Sequence, residues 1–193
     1  KRMRNLNADE IYDQVVAIDQ QSRLYFKRPL TNIVFMGMGE PLMNYNQVLL
    51  AIDKITHPEG LAMSPRRITL STSGIPKMIQ KLADDGVKFE LAVSLHSARQ
   101  EVREQIMPFA KQFPLEDLKA ALLHWYATTK KRITFEYIVF KGVNDTDEDI
   151  EALVRFCTNI PSKVNIIEYN TIDGAPLSQA APDRVEAYIA ALN

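Results

Sequence analysis

Hydrophobic spacing along this chain switches between a period of about 3.6 residues and one of about 2, and the switches outline an alternating α/β architecture. Ile11, Val15 and Ile18 share one helical face, and Asn7-x-x-Glu10 before them has the form of a capping box, which predicts a first helix over Ala8–Arg23. Strands are predicted near Thr31–Met36, Arg67–Ser73, Lys88–Leu95, Arg132–Phe140 and Lys163–Tyr169. Helices fill the gaps, near Tyr45–Thr56, Pro76–Asp85, Leu115–Thr129, Asp147–Asn159 and Pro182–Leu192, with a shorter one at Gln100–Ile106. Crossovers long enough to hold a helix argue for a parallel sheet rather than hairpins.

The strands carry a second pattern. In Lys88–His96, Phe89, Leu91, Val93 and Leu95 alternate with Glu90, Ala92, Ser94 and His96. Ile68 and Leu70 likewise oppose Thr69, Ser71 and Ser73, and Ile133, Phe135, Tyr137 and Val139 oppose Thr134 and Glu136. A parallel sheet covered by helices on both faces reads apolar throughout. The alternation therefore predicts a curled sheet with helices outside and a polar interior. Polar residues and glycines also gather where each strand ends, at Gly37–Glu40, Ser71–Gly74, Ser94–His96, Lys141–Asn144 and Asn170–Gly174. Carboxyl ends of parallel strands form the ligand-binding rim of α/β proteins, so these segments point to one site. Ser, Asn and Gly also mark ordinary loops, but that does not account for polar residues inside the strands.

Among these strand ends, Phe35-Met36-Gly37-Met38-Gly39-Glu40-Pro41-Leu42 is the most specific. Its glycines let the backbone approach a ligand closely, Glu40 offers a charged acceptor for an ammonium group, and Pro41 fixes the exit. Such a turn can hold the head group of an amino acid.

Composition narrows the classes. With 193 residues and 46% hydrophobic content, the chain can bury a core of its own and reads as one domain, residues 1–193. Its 23 Lys+Arg nearly cancel 24 Asp+Glu, so a nucleic acid would have to be met by local patches. Candidates are Lys1-Arg2-x-Arg4, Lys27-Arg28, Arg66-Arg67 and Lys130-Lys131-Arg132, though each reads first as solvated surface. No apolar run is long enough to span a bilayer and the first residues lack a secretory apolar core, so a cytoplasmic protein with no membrane partner is expected. The single cysteine, Cys157, cannot form an internal disulfide or a thiolate-rich metal site within the chain. It shares a helical face with Ile150, Leu153 and Val154 and is expected in the core, as is Trp125 with Leu115, Leu118 and Leu122. His57 and His124 have no partner pattern and receive no role.

The octapeptide, Ser71-Thr72-Ser73-Gly74, Ser94-Leu95-His96, Val143-Asn144-Asp145 and Asn170-x-x-x-Gly174-Ala175-Pro176 follow one another in register with successive strands. In this the chain resembles the RlmN/Cfr family of radical S-adenosylmethionine methyltransferases, which act on an adenosine of 23S ribosomal RNA and, in some members, on tRNA. The resemblance covers essentially the whole chain. It implies an α/β fold, a partial (β/α)6 TIM-barrel-like radical SAM barrel of about five parallel strands with outer helices. It also implies a S-adenosylmethionine site carried onto Gly39, Glu40, Ser71, Ser94, Leu95, His96 and Asn170. Gly39 and Glu40 would hold the methionyl amino group, the serines and His96 would reach carboxylate and ribose, and Asn170 would lie near the adenine. Pro41, in Gly-Glu-Pro, favours the branch that methylates adenine carbon 2 over the carbon 8 branch. An electron donor for a [4Fe–4S] cluster is implied as a further partner.

Departures from the family pattern matter as much. The Cys-x-x-x-Cys-x-x-Cys motif that holds the cluster is not in this chain, nor are the methyl-carrying and resolving cysteines, so no catalytic or metal-binding residue is expected within it. The expectation is a central segment of a larger enzyme, truncated at both ends relative to the family and inactive alone, with an open sheet edge through which it could pair with another copy. Two other readings stand beside this one. A different α/β-barrel enzyme could use Glu90, Glu136 or His96 as acid–base groups at the same rim, with a pairing of Glu136 to an interior cation such as Arg67 as the bland alternative. A non-catalytic module could bind S-adenosylmethionine or RNA without turnover.

Overall fold

In the computed structural model, which describes residues 4–170, 174 and 176–193, regular structure starts at the capping box read from the sequence. The Asn7 side chain accepts from the Glu10 backbone N–H at 2.9 Å, and the Glu10 carboxylate accepts from the Asn7 N–H at 2.9 Å. Helix α1 (Ala8–Phe26) runs three residues past the predicted end at Arg23, to a left-handed cap at Lys27, because no helix breaker occurs before Pro29. Backbone contacts divide the chain into two compact units, Lys1–Thr72 with Lys88–Leu91, and Ser73–Val87 with Ala92–Asn193.

In the first unit α1 packs against α2 (Tyr45–Thr56). Their contact is polar at one end, where the Ala8 N–H donates to Gln47 at 2.8 Å and Lys54 pairs with Asp9. Ile11 and Val15 are half-buried as the helical face requires, but Ile18 is 52% exposed, and the anchor at that level is buried Asp19, which accepts from Arg23 and from the Leu30 N–H. Strand β1 (Ile33–Phe35) lies parallel to β2 (Ile68–Thr72), with Ile33 opposite Ile68 and Phe35 opposite Leu70. It is shorter than predicted. Its partner leaves the sheet before Ile68 in a 3₁₀ turn, Pro65–Arg67, and β1 itself ends at the glycine turn.

The second unit carries the larger core. Helix α3 (Pro76–Asp84) packs against α5 (Leu115–Thr129), burying Ile79, Leu82, Leu118, Leu122 and Trp125 completely. Each such side chain contributes roughly 1.5–3 kcal/mol of transfer free energy. Strand β3 (Glu90–Ser94) enters this unit at Ala92 and is followed by the short helix α4 (Gln100–Ile106). Beyond α5, β4 (Ile133–Ile138) runs parallel to β5 (Ser162–Ile167) over their full length, and α6 (Asp147–Cys157) packs on α7 (Pro182–Leu192). The strand order is the chain order, β1-β2-β3-β4-β5.

Two-residue alternation holds within the strands. Phe135 meets Phe156 of α6 with ring centroids 5.8 Å apart, and Tyr137 meets Tyr188 of α7 at 5.3 Å, while the intervening Glu136 faces the other way and accepts from Asn165 of β5 at 2.7 Å. An amide, not the cation considered from the sequence, is therefore the recorded partner of this strand carboxylate. Trp125 is core as expected. Cys157 is only half-buried, since it closes α6 rather than sitting in its middle, and burial still raises its thiol pKa. Among the described residues no helix is long and apolar enough to cross a membrane.

Candidate functional site

The sequence-predicted site residues fall at strand ends in both units. In the first unit the chain leaves β1 through Met36 and Met38, both exposed, and turns at Gly39, whose φ of +96° suits glycine. Among the described residues nothing lies within 4 Å of where a Gly39 side chain would start, so one flank of the turn is open to them. Glu40 then caps a 3₁₀ turn, Pro41–Asn44, accepting from the Leu42 N–H at 3.0 Å with Pro41 in the first position. The same carboxylate oxygen accepts from the Thr72 hydroxyl at 2.8 Å. That bond ties the glycine turn to the end of β2, where Ser71 and Thr72 are both buried polar residues. Gly39, Glu40 and Ser71 thus belong to one rim, and Thr72 joins them.

In the second unit Ser94, Leu95 and His96 follow one another off β3. The Leu95 side chain is fully buried and its N–H donates to the Glu136 carbonyl at 3.0 Å, so it shapes the turn from within. His96 has a left-handed backbone, φ +55°, a conformation costly for a residue with a Cβ and kept only where its surroundings over-determine it. Asn144 does much of this. Its side-chain amide donates to the His96 carbonyl at 2.6 Å and to the Ile138 carbonyl at 2.8 Å, while its oxygen accepts from the Phe140 N–H at 2.6 Å. The Ile138 N–H in turn donates to His96 Nδ1 at 3.3 Å, which assigns the proton of the neutral ring to Nε2. Burial, and secondarily the nearby Arg103 guanidinium, push the His96 pKa down to about 4, so the imidazole is neutral at physiological pH and presents an N–H donor. Asn170 lies beyond the end of β5 and is exposed. Gly174, from the last strand-end cluster, has φ +78°, and Ala175 lies outside the described residues.

Sequence reasoning missed three contributors. Thr72 stands inside a motif singled out for Ser71, yet only the structure shows that its hydroxyl reaches Glu40. Asn144 was visible as part of Val143-Asn144-Asp145 but without a role. Arg103, wholly buried beneath the β3 turn, sits in a polar stretch of α4 where nothing in the sequence distinguishes it from a surface cation.

A family model for the radical SAM superfamily matches residues 2–157, a span that runs through both units. This chain belongs to the radical SAM superfamily. Membership implies S-adenosylmethionine and a [4Fe–4S] cluster. The chain is 70% identical over 188 residues to a probable dual-specificity RNA methyltransferase RlmN of Christiangramia forsetii, covering 97% of this chain and 53% of that protein. It is 65% identical over 192 residues to a protein of the same description from Flavobacterium psychrophilum, covering 100% of this chain and 55% of the relative. The crystal structure of a radical SAM methyltransferase from Sphaerobacter thermophilus superposes with a TM-score of 0.94 at 37% identity, over 98% of this chain and 55% of that one. The resemblance read from the motifs is borne out, as is the α/β fold with a parallel sheet that does not close. The chain spans about half the length of the curated relatives it matches.

Proposed function

We propose that this radical SAM chain is the S-adenosylmethionine-binding part of a longer RNA methyltransferase that modifies carbon 2 of an adenosine in 23S rRNA and in tRNA. The observation that carries the reading is 70% identity to an RlmN protein over 188 residues, 97% of this chain. Gly-Glu-Pro at Gly39-Glu40-Pro41 is what favours carbon 2.

The residues present fit S-adenosylmethionine. Glu40, held in place by the Leu42 N–H and the Thr72 hydroxyl, is a fixed anionic acceptor suited to a methionyl ammonium group, and the open flank of Gly39 leaves room for the ligand to lie against the backbone. Ser71 is a buried hydroxyl suited to polar groups of the same ligand. In the second unit Ser94, the Leu95 backbone and the Nε2–H of neutral His96 are assigned to carboxylate and ribose, and Asn170 to the adenine. A radical generated from this ligand supplies the reactivity that polar methyl transfer lacks at an amidine carbon, which is not nucleophilic. The chain's part is to hold its precursor in one pose and to keep water away.

The cluster does not fit the residues of this chain. A [4Fe–4S] centre needs several thiolates, and Cys157 is the one cysteine, half-buried with a raised pKa. Among the described residues no group of three metal-ligating side chains occurs. In this reading the cluster cysteines, the methyl-carrying cysteine and most of the RNA-binding surface are supplied by other parts of the protein, the 193 residues alone are inactive, and the whole acts in the cytoplasm with an electron donor. The target adenine must be presented unstacked, since its reacting carbon is inaccessible within folded RNA.

The test is methylation by the native full-length protein, reduced anaerobically with S-adenosylmethionine and offered unmodified 23S rRNA or tRNA. Nucleoside mass spectrometry should find 2-methyladenosine in one or both. Finding 8-methyladenosine instead would overturn the carbon assignment, and no methylated adenosine in either RNA would overturn the function.

A further inference from the structure

Arg103 is an unusual residue for its position. It sits in the middle of α4 with no solvent exposure, yet no carboxylate among the described residues pairs with it, and burial alone lowers its pKa, to about 10, leaving it charged at neutral pH. An uncompensated buried cation is costly. Its guanidinium is met instead by carbonyls: Nη2 takes the Ser73 carbonyl at 2.6 Å and the Ser94 carbonyl at 3.4 Å, and Nε takes that of Leu95 at 3.2 Å. Nη1 is buried with no acceptor among the described residues. Space for this arrangement comes from Gly74, whose φ is +95° and where a Cβ would stand 3.3 Å from Nη2 and 3.1 Å from Leu118. One cation therefore gathers the loops that follow β2 and β3 from beneath, and it has unused hydrogen-bonding capacity and unneutralised charge.

We infer that Arg103 is a positioning residue for an anionic ligand group at the β3 turn: it sets the backbone of Ser94–His96 and lends that turn the positive charge that favours the carboxylate of S-adenosylmethionine. The inference rests on the proposed ligand site and adds to it the source of discrimination for the carboxylate. Arg103 acts through the turn and not by contact. Dipoles of three carbonyls soften its charge without cancelling it, and in a partly buried setting a unit charge still acts over several ångströms. No residue of the Ser94–His96 turn carries a charge of its own at neutral pH, His96 being neutral, so Arg103 is the cation built into its base.

The experiment compares calorimetric affinities of the native full-length protein for S-adenosylmethionine and for its decarboxylated analogue, which keeps the ammonium, sulfonium, ribose and adenine. Wild type should prefer the intact ligand. In Arg103→Met that preference should fall about tenfold, whereas Arg103→Lys, which keeps the charge but not the fork, should weaken both ligands and retain the preference. A purely structural arginine would weaken both ligands equally in Arg103→Met, and that result overturns the inference. Should Arg103→Met fail to fold by circular dichroism, Arg103→Gln, neutral but still polar, carries the same expectation. If neither folds, loss of the preference in Arg103→Lys overturns it and retention supports it. Failure of the wild-type protein to bind either ligand would strike the site itself, a result separate from these.

Discussion

The two strand-end turns of this chain are built by opposite means. The turn after β1, Gly37–Glu40, is open: its glycines are exposed, Met38 projects fully into solvent, and a carboxylate bonded to Leu42 and Thr72 helps to brace it. The turn after β3, Ser94–His96, is braced from several sides, by Arg103 beneath, Asn144 across the His96 carbonyl and the Ile138 N–H against the ring. In the first, glycine makes the required backbone geometry cheap and leaves the backbone accessible. In the second, a residue with a useful side chain is forced into a geometry glycine would adopt freely, and buried hydrogen bonds must offset the strain. Under the function proposed above the difference has a reason. A turn that offers its backbone can be glycine, while a turn that offers an imidazole N–H cannot.

The largest test of that contrast is Asn144→Ala. It strands the Phe140 N–H and the His96 and Ile138 carbonyls in a buried setting, and a loss of about 3–5 kcal/mol is expected in urea unfolding. A loss below about 1 kcal/mol would mean that water replaces the amide and that the His96 turn is not braced through it.

Next in size is the acid limb of stability. The folded pKa of His96 lies at about 4, below its unfolded value of about 6.5, so between these the unfolded chain binds the extra proton. Stability must therefore rise with pH across that window and fall by about 2–3 kcal/mol as pH drops from 6.5 to 4. His96→Gln should flatten this limb. An imidazole that titrates near 6.5 in a proton NMR experiment would show that the ring is not desolvated.

Replacement of the two positive-φ glycines separates backbone strain from crowding. Gly39→Ala meets open space and should cost about 1–2 kcal/mol, the left-handed penalty alone. Gly74→Ala adds contact with Leu118 and Arg103 and should cost about 2–4 kcal/mol. Equal melting temperatures for the two variants would contradict the crowding.

Much of this is legible in the sequence, for identifiable reasons. Helices α2, α4, α5 and α7 begin and end where periodicity placed them, since each starts or stops at a local signal such as Pro182 or the boundary with polar Lys130. The strand ends were legible because polar residues interrupt otherwise apolar faces. Illegible were the features set by partners distant in sequence: β1 is cut short by the turn that precedes β2, Ile18 is left exposed, and Arg103 is buried although Glu101 and Glu104 surround it in the chain. Periodicity reports which face a residue occupies. It does not report that a neighbouring strand end will turn three carbonyls toward a cation and make burying it tolerable.

The smallest effect tests a brace of the open turn. Thr72→Val removes the hydroxyl that donates to Glu40 Oε1 but keeps the shape of the side chain, so Glu40 retains its bond from the Leu42 N–H and loses its tie to β2. A destabilisation of about 1 kcal/mol is expected, the ordinary net worth of one hydrogen bond, since the half-exposed Glu40 carboxylate recovers part of its solvation from water. The sharper readout is local. With its acceptor released, the Leu42 amide should exchange with deuterium several-fold faster, while the amides of Leu95 and Ile138, held by the other turn's own bonds, should keep their rates. An unchanged Leu42 rate would mean that the glutamate is fixed without the Thr72 hydroxyl. The open turn would then be as self-sufficient as the braced one, and the contrast between them would vanish.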